Sequence, residues 1–295
     1  MSNIDSHNVI LNFTEPLDKS QIKIGSISTL LNILNDFEID NDHVLFYRGH
    51  SKDSYELKPS IYRNEKIISN EHIMFKELLL RCPSDFSHCK NTFEFLVKMQ
   101  HYSLPTRLLD ITTNPLIALF FTASSNSDYD GEIIVLKIPK KDIKYYDSDT
   151  VSVISNISKR PLTINLKNRL NKDDFNRSQE TGYLLHEIRA EKPYFFPIID
   201  PEHLESVVCV KPKLDNPRII RQDGAFLLFG FQTEKKNCAL FPEKYLGTTN
   251  KNRIIIKGSM KKKLLKQLAT LGITQATIYP EIEKVASYIS QIYAE

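Results

Sequence analysis

The sequence predicts an α+β protein with a mixed, largely antiparallel sheet and flanking helices. Helical apolar spacing is concentrated before residue 125, whereas short runs rich in β-branched residues recur from Glu132 onward. Helical and strand patterns are mixed without the regular alternation of a βαβ fold. These observations favour one sheet with helices packed around it.

The first part of the chain predicts mainly helices. Asn114-Pro115 is the clearest start signal, because a capping side chain precedes a proline at the first helical position. The almost wholly apolar segment that follows, up to Ala123, indicates a buried helix. The other predicted elements are a helix over Ser26 to Phe37, a strand over Val44 to Arg48, a helix capped by Asn70 and a helix over Thr92 to Tyr102.

The second part predicts mainly strands. Glu132 to Ile138 has the strongest strand pattern, and the polar stretch after Pro139 predicts a surface excursion. Ser259 is expected to cap a basic amphipathic helix over Lys261 to Leu271, and a last helix is expected over Glu281 to Ile292. Further strands are predicted at Val207 to Val210, Ala225 to Phe231, Arg253 to Lys257 and Thr274 to Tyr279. The predicted organisation is a helical lead (1–40) and one domain (41–295) with a polar excursion around 139–205.

Composition excludes several classes. The chain has 39 basic and 36 acidic side chains, and a net charge of +3 does not by itself indicate a nucleic-acid-binding protein. No apolar run is long enough to cross a membrane, and the N-terminus has no secretory signal pattern. The four cysteines lack metal-like spacing. We therefore expect a cytoplasmic protein with no metal and no membrane partner.

Three polar segments are candidate sites. Arg48-Gly49 ends a short strand, where a guanidinium can bind phosphate or carboxylate and a glycine lets backbone approach a ligand. An internal ion pair is the alternative for Arg48, and a surface position is expected for His50. In the third segment, Gln222 precedes Gly224 at the start of a strand. Its amide both donates and accepts hydrogen bonds, which suits a ribose or an amide group.

The second segment, Gln100 to Pro115, places several polar side chains between two buried elements. His101 is a candidate general base, with a helix-capping role as the alternative. Arg107 and Asp110 either form an ion pair or contact a ligand separately. Thr112 and Thr113 precede a helix N-terminus, which favours an anion, and plain N-capping is the alternative.

These segments resemble the FRG domain, a family of mostly bacterial proteins. The resemblance rests on Tyr47-Arg48-Gly49, on Gln100-His101-Tyr102 with Leu104 to Asp110, and on the helix after Asn114. The segment from Arg218 to Phe226 and the closing Tyr279 to Glu283 are also similar, so the resemblance spans about Leu45 to Tyr288. Ser103 stands where the family usually has glycine, and Ile111 where it usually has tryptophan.

A weaker resemblance, in segment order alone, is to ADP-ribosyltransferases. It implies a transferase-like fold that uses NAD, with Arg48 holding the pyrophosphate or adjacent ribose and Thr112 supporting the nicotinamide-ribose pocket. Gln222 falls near the position of the catalytic glutamate, and Glu180, Glu187 and Glu281 are candidates for its charge. This implies an ADP-ribosyltransferase or NAD glycohydrolase, an effector of bacterial phage defence, which uses NAD as its substrate and a protein or a nucleic acid as acceptor.

The site predicted from these residues is a single cleft. Its catalytic candidates are Gln222, His101 and Asp110, and its candidates for binding NAD are Arg48, Gly49, Arg107, Thr112 and Thr113. Two alternatives remain: a sensor that binds a nucleotide or phosphate ligand without chemistry, and a nucleic-acid-binding protein. The latter would use the basic run from Lys251 to Lys266, which includes Lys257, Lys261, Lys262, Lys263 and Lys266.

Overall fold

The computed structural model describes residues 22–35, 37, 40–167, 171–247 and 253–294. Within them the chain has the α+β fold that the sequence predicts, with one open sheet of eight strands and helices around it. Residues Met1 to Thr14, to which the expected absence of a secretory signal refers, lie outside the described part. None of the described helices has the length and apolar character needed to span a bilayer.

The sheet is mixed and largely antiparallel, as predicted. Its strands lie in the order β1-β8-β4-β2-β3-β7-β6-β5. The outer pairs β1–β8 and β5–β6 are parallel, and the other neighbouring pairs are antiparallel. The strands are β1 (Ile22–Ile24), β2 (His43–His50), β3 (Leu108–Thr112), β4 (Gly131–Pro139), β5 (Ile143–Tyr145), β6 (Val207–Lys211), β7 (Gly224–Phe229) and β8 (Ile254–Ile256).

Helices fill the connections between these strands. Many begin at an asparagine, serine, aspartate or threonine whose side chain accepts a backbone N–H of the first turn. They are α1 (Ile27–Asn35), α2 (Glu65–Ser69), α3 (Glu71–Arg81), α4 (Thr92–His101), α5 (Pro115–Ala123), α6 (Asp149–Asn156), α7 (Lys172–Arg177), α8 (Gln179–Glu191), α9 (Pro201–Glu205), α10 (Pro217–Arg221), α11 (Gly258–Thr270), α12 (Gln275–Ile278) and α13 (Ile282–Ala294).

Helix α5 is the buried helix that its sequence predicts. The Asn114 side chain accepts the N–H of Leu116 at 3.0 Å, which confirms the predicted cap. Ala118 and Leu119 are fully buried in an apolar cluster that also contains residues of β2 and β4. The helix therefore fixes the end of β2 that carries Arg48.

The expected surface excursion after Pro139 is wrong. Residues 149–159 fold into α6 and a 3₁₀ turn, and the side chains of Val151, Ile154 and Ile157 are fully buried. They join an apolar cluster with α3, α4, α8 and β7. The sequence pattern does not indicate this burial, because polar residues alternate with apolar ones, as in Val151-Ser152-Val153. Ser152 and Ser155 are nevertheless buried as well.

Three further expectations are corrected at the chain ends. Residues 274–279 form a helical turn instead of a strand, because Thr274 and Thr277 form a capping box. Ser259 lies inside α11, whose cap position is occupied by Lys257. The lead before residue 41 contains a strand as well as a helix, since β1 pairs with β8.

Candidate functional site

The sheet opens between β2 and β3. Among the described residues these strands share one residue pair, Tyr47 with Thr112, whereas β2 pairs with β4 along its whole length and β3 pairs fully with β7. A cavity of about 230 Å³, here called the main cavity, lies at this opening. It is lined by Tyr47, Arg48, Gly49, Asp110, Ile111, Thr112, Phe121, Arg218, Ile219, Gln222, Gly224, Ala225, Phe226 and Tyr279.

Arg48 is half-buried in the wall of the main cavity. Its Nε donates to His50 Nε2 at 3.0 Å, and its Nη1 donates to the Asp110 backbone oxygen at 2.6 Å. Burial, with the nearby charge of Arg63, lowers the pKa of Arg48 to about 10, so the guanidinium stays charged at neutral pH. Among the described residues Nη2 has no hydrogen-bond partner, which leaves it free for a ligand.

His50 supports Arg48 from the protein interior. It is 1% exposed, so the expected surface position is wrong. Burial, with the charges of Arg48 and Arg63, lowers the pKa of His50 to about 3. The ring is therefore neutral at physiological pH, and its Nε2 lone pair accepts the Arg48 hydrogen bond.

Gly49 lines the main cavity, but its missing side chain has a packing role. A Cβ atom built there would collide with the Ala118 carbonyl oxygen and with Thr122 of α5. The sequence suggested that this glycine admits a ligand close to the backbone. The structure shows instead that it admits helix α5, which lets that helix lie against β2 at the edge of the cavity.

Asp110 faces the main cavity from β3, and its carboxylate is oriented by Gln100. Gln100 Nε2 donates to Asp110 Oδ2 at 2.8 Å, while the Thr106 hydroxyl donates to Gln100 Oε1. The hydroxyl fixes which end of the amide faces the carboxylate. The segment from Gln100 to Asp110 thus holds one acidic group beside Arg48.

Thr112 and Gln222 are brought together at the mouth of the cavity. The buried Thr112 hydroxyl donates to the Gln222 backbone oxygen at 2.7 Å, and the Gln222 amide donates from Nε2 to the Ile278 oxygen at 3.2 Å. Gln222 therefore lines the main cavity with a side chain that also anchors the turn before Tyr279. Both residues lie where the sequence placed them, within one cleft with Arg48.

Thr113 does not line the main cavity. It is exposed, and its N–H donates to the Asp223 oxygen at 3.1 Å. The N–H of Asn114 is bound by Thr112, and that of Leu116 by Asn114. The protein itself therefore satisfies these N–H donors at the start of α5. The residues cap the helix, which was the alternative, and do not form the anion site that the sequence predicts.

His101 also lies outside the main cavity. Its Nε2 is 3.0 Å from Glu281 Oε1, and Asn216 Nδ2 is 3.4 Å from its Nδ1. Burial and the nearby charge of Arg218 lower the pKa of His101. His101 therefore does not line the main cavity itself, because both ring nitrogens face groups that connect α4 with α10 and the C-terminal segment.

Arg107 is fully buried, and the expectation that it lines the cleft is wrong. Its Nη2 donates to Glu71 Oε2 at 2.6 Å and its Nη1 to the Tyr62 hydroxyl at 2.7 Å. Lys235 Nζ lies 2.9 Å from the same Glu71 oxygen. The predicted ion pair between Arg107 and Asp110 is wrong, because Arg107 pairs with Glu71 instead. Successive strand residues face opposite sides, so Arg107 and Asp110 cannot share a site.

This buried ionic cluster is Arg107, Glu71, Lys235 and Tyr62. Burial alone disfavours a charge on Arg107, but Glu71 and Tyr62 raise its pKa above the usual value. Burial likewise opposes ionisation of Glu71, yet Arg107 and Lys235 hold its pKa below the usual value. Burial lowers the pKa of Lys235 to about 8 despite Glu71. Arg107 and Glu71 therefore stabilise each other as a charged pair inside the protein.

Arg218 and Tyr279 are functional candidates in the cavity wall that the predicted site did not include. The guanidinium carbon of Arg218 lies 4.7 Å from the centre of the Tyr279 ring, and Tyr279 also contacts Phe121. Arg218 and Tyr279 both lie in segments that carry the family resemblance, which is the signal that could have identified them. Aromatic groups from β2, α5, β7 and the C-terminal segment give the main cavity an apolar wall.

Glu281 is the acidic candidate nearest to the main cavity. Its Oε1 lies 3.0 Å from His101 Nε2 and 3.9 Å from Arg218 Nη1, and its Oε2 is buried without a hydrogen-bond partner among the described residues. Glu180 pairs with Arg160 at 3.3 Å, and Glu187 lies 3.7 Å from Lys159. Neither of those two acids is among the residues that line the cavity.

The basic run near the C-terminus is partly used inside the protein. Lys257 pairs with Asp130 at 2.6 Å. Lys261 is 1% exposed, and its ammonium donates to backbone oxygens of Ser51, Ser125 and Asn126. Lys262, Lys263 and Lys266 are exposed, while Lys251 lies outside the described residues. Lys257 and Lys261 of this run therefore have partners within the protein, and its other described lysines face the surface.

The fold and the site define an α+β protein with a small polar and aromatic cavity where two central strands separate. The family model of the FRG domain matches residues 43–131, so an FRG domain is present in this part of the chain. The matched residues include β2, β3 and α5, and thus one side of the main cavity. Searches of curated proteins and of solved structures found no match. Within the described residues, no group of three potential metal ligands is present.

Proposed function

We propose that the main cavity binds NAD and that the protein cleaves its nicotinamide–ribose bond, as an NAD glycohydrolase or ADP-ribosyltransferase. The observation that carries the proposal is the meeting of three distant segments at one cavity. Arg48, Thr112 and Gln222 come from β2, β3 and the turn before β7, and all three line it. The order of these segments along the chain is the one that the resemblance to ADP-ribosyltransferases requires.

Arg48 supplies the positive charge for a phosphate. Its Nε and Nη1 are fixed by His50 and by the Asp110 backbone, so the guanidinium is held in one orientation before a ligand arrives. A guanidinium held in this way binds an anion with little loss of side-chain entropy. Neutral His50 accepts the Arg48 bond without adding a competing charge.

Asp110 supplies the negative charge for the reaction. When the bond between C1 of the ribose and the nicotinamide nitrogen breaks, its electrons leave with nicotinamide, and positive charge develops on the ribose. A carboxylate facing that charge stabilises the transition state. Water or an acceptor nucleophile then bonds to C1 and releases a proton. Gln100 holds the Asp110 carboxylate through one oxygen and leaves the other available.

The test is nicotinamide release from NAD by the wild type and by Asp110→Asn. Loss of this carboxylate should lower the rate by about a hundredfold or more. Asp223→Asn is the matched control, because Asp223 is an exposed aspartate near the cavity mouth that does not line it, and it should keep the wild-type rate. A wild type without turnover, or equal rates in the two variants, contradicts the proposal.

A nucleotide sensor without chemistry is the second candidate. It is favoured by Gln222, a neutral side chain near the position where the transferases place a glutamate, and by the use of its amide to hold Ile278. A melting temperature that rises with NAD, in a wild type that releases no nicotinamide, supports the sensor. A defence effector that consumes NAD would lower cellular NAD when it is expressed, and measuring that level tests the biological role.

A further inference from the structure

A second cavity lies behind α10 and is not used by the site described so far. It has a volume of about 500 Å³ and is here called the side chamber. Its walls come from α4 and from the segment between β6 and α10. The lining residues are His88, Cys89, Phe93, Glu94, Val97, Lys98, His101, Tyr102, Pro212, Lys213, Asp215, Asn216, Pro217 and Ile219.

A narrow passage of about 70 Å³ lies between the side chamber and the main cavity. It shares Asp110, Arg218, Ile219, Gln222 and Phe226 with the main cavity. It shares Val97, His101, Asn216 and Ile219 with the side chamber. Because the same side chains line neighbouring spaces, the three spaces adjoin one another around α10.

Size makes the side chamber relevant to NAD. Sites that bury a drug-sized ligand have volumes of about 300–1,000 Å³, and the main cavity alone, at about 230 Å³, is below that range. The main cavity alone therefore has room for only part of a dinucleotide, and a whole dinucleotide needs further space. The side chamber and the passage supply it.

The chemistry along the path matches a ligand with two ring systems and an anionic linker. Arg218 stands at the passage, with the amides of Gln100, Asn216 and Gln222 around it. The side chamber offers apolar and planar surfaces from Phe93, Val97 and two prolines. Its acids have protein partners, since Glu94 accepts the Lys90 N–H and Asp215 pairs with Lys213 at 3.3 Å.

A third space competes for the same role. A groove of about 710 Å³ between α5, α11 and the C-terminal helices also adjoins Arg218 and Tyr279. The stacking of Arg218 on Tyr279 stands between this groove and the main cavity. The groove shares only those two lining residues with the main cavity, whereas the passage shares five. The passage is therefore in closer contact with the main cavity than the groove is.

We propose that the main cavity, the passage and the side chamber form one bipartite site for a dinucleotide, whose adenylate half occupies the side chamber. The proposal rests on the proposed function for the ligand class. In this arrangement the adenylate half of the ligand contacts α4 and the segment before α10, and it does not enter the competing groove along α11. Val97 and Lys213 become residues that determine whether a dinucleotide binds better than its nicotinamide half.

The test compares the binding of two probes by calorimetry: carbocyclic NAD, which cannot release nicotinamide, and nicotinamide mononucleotide. In the wild type, carbocyclic NAD should bind about tenfold tighter or more, because the added adenylate half is buried. Val97→Trp fills the side chamber and should remove that advantage while leaving the affinity for the mononucleotide within about twofold. Lys213→Trp, at the exposed rim, is a second way to fill the chamber if Val97→Trp fails to fold.

Ala269→Trp is the matched control, since it fills the competing groove from the exposed side of α11 and should change neither affinity. Carbocyclic NAD that binds the wild type no better than the mononucleotide overturns the bipartite site and leaves the main cavity intact as a nucleotide site. Loss of dinucleotide binding in Ala269→Trp alone assigns the adenylate half to the groove and overturns it too. A wild type that binds neither probe overturns the proposed function itself.

Discussion

Two arginines of the FRG-domain match occupy opposite environments. Arg48 is half-buried, uses a neutral histidine and a backbone oxygen as partners, and keeps one nitrogen free in the main cavity. Arg107 is fully buried and pairs with Glu71, Tyr62 and, through Glu71, with Lys235. The partners differ in charge: the Asp110 carboxylate lies near Arg48 without forming a salt bridge with it, whereas Arg107 is paired directly with the Glu71 carboxylate. A cation that lacks a paired acid is available to a ligand, and a cation that has one stabilises the fold.

The largest effect on stability is expected from the buried ionic cluster. Arg107→Met should lower the free energy of unfolding by about 3–5 kcal/mol, because Glu71 would keep a buried charge with Lys235 alone. Urea unfolding measures this. Arg81→Met is the control, since Arg81 pairs with Glu77 at 2.7 Å on the surface, and such a pair contributes about 0–1 kcal/mol. Equal losses in both variants would remove the contrast between buried and open arginines.

The next effect comes from the close contact behind Arg48. Gly49→Ala should cost about 1–3 kcal/mol, because the new methyl group collides with backbone atoms of α5 that cannot rotate away. Gly182→Ala is the control, since it lies in helix α8 with no atom near the position of a Cβ, and it should gain up to about 1 kcal/mol. Thermal unfolding of both variants measures these two changes in stability. A neutral Gly49→Ala would mean that α5 moves freely beside the cavity.

His50, which supports Arg48 at the main cavity, should make the free energy of unfolding depend on pH. Its folded pKa of about 3 lies below the ordinary histidine pKa of 6.5, so the unfolded chain binds more protons between these values. Stability from this group is complete above pH 6.5 and is lost as pH falls toward 3, by at most about 1.4 kcal/mol per pH unit. His50→Gln should flatten the fall in unfolding free energy between pH 6.5 and 4. The exposed His186→Gln should leave that slope unchanged, and an unchanged slope in His50→Gln would contradict the buried neutral ring.

The smallest effect is expected at Ser103, where the family usually has glycine. The backbone of Ser103 has φ of 66°, a left-handed conformation that a side chain disfavours by about 1–2 kcal/mol. Ser103→Gly removes that strain but increases the entropy of the unfolded chain, so a net gain of about 0.5 kcal/mol is expected. A lower melting temperature would show that the serine side chain contributes to the loop between α4 and β3.

Much of the architecture could be predicted from local patterns. The cap at Asn114, the strand at β4 and the helices α1 and α4 each carry their signal within a few residues. Helix α6 could not be predicted in the same way, because buried serines interrupt its apolar pattern. At residues 274–279 the β-branched residues favoured a strand, and a capping box of two threonines produces a helical turn instead.

The candidate site could be predicted only in part, because some of its contacts join residues that are distant in the sequence. Arg48, Asp110, Thr112 and Gln222 meet as expected, since each ends or borders a strand of one sheet. The prediction that Arg107 lines the cleft is wrong because its partner, Glu71, is distant in the sequence, and no local pattern identifies Glu71 as a buried acid. Tyr279 and Arg218 form the cavity wall through a contact across 61 residues, which spacing alone cannot indicate.

Melting temperatures with and without NAD test most directly the proposed division of roles, in which Arg48 binds the ligand and Arg107 stabilises the fold. We expect Arg48→Met to melt within several degrees of the wild type, since it loses hydrogen bonds worth about 1–2 kcal/mol, and to show no stabilisation by NAD. Arg107→Met should melt much lower and still be stabilised by NAD. The opposite pattern, with the NAD response kept in Arg48→Met and lost in a folded Arg107→Met, would contradict the account.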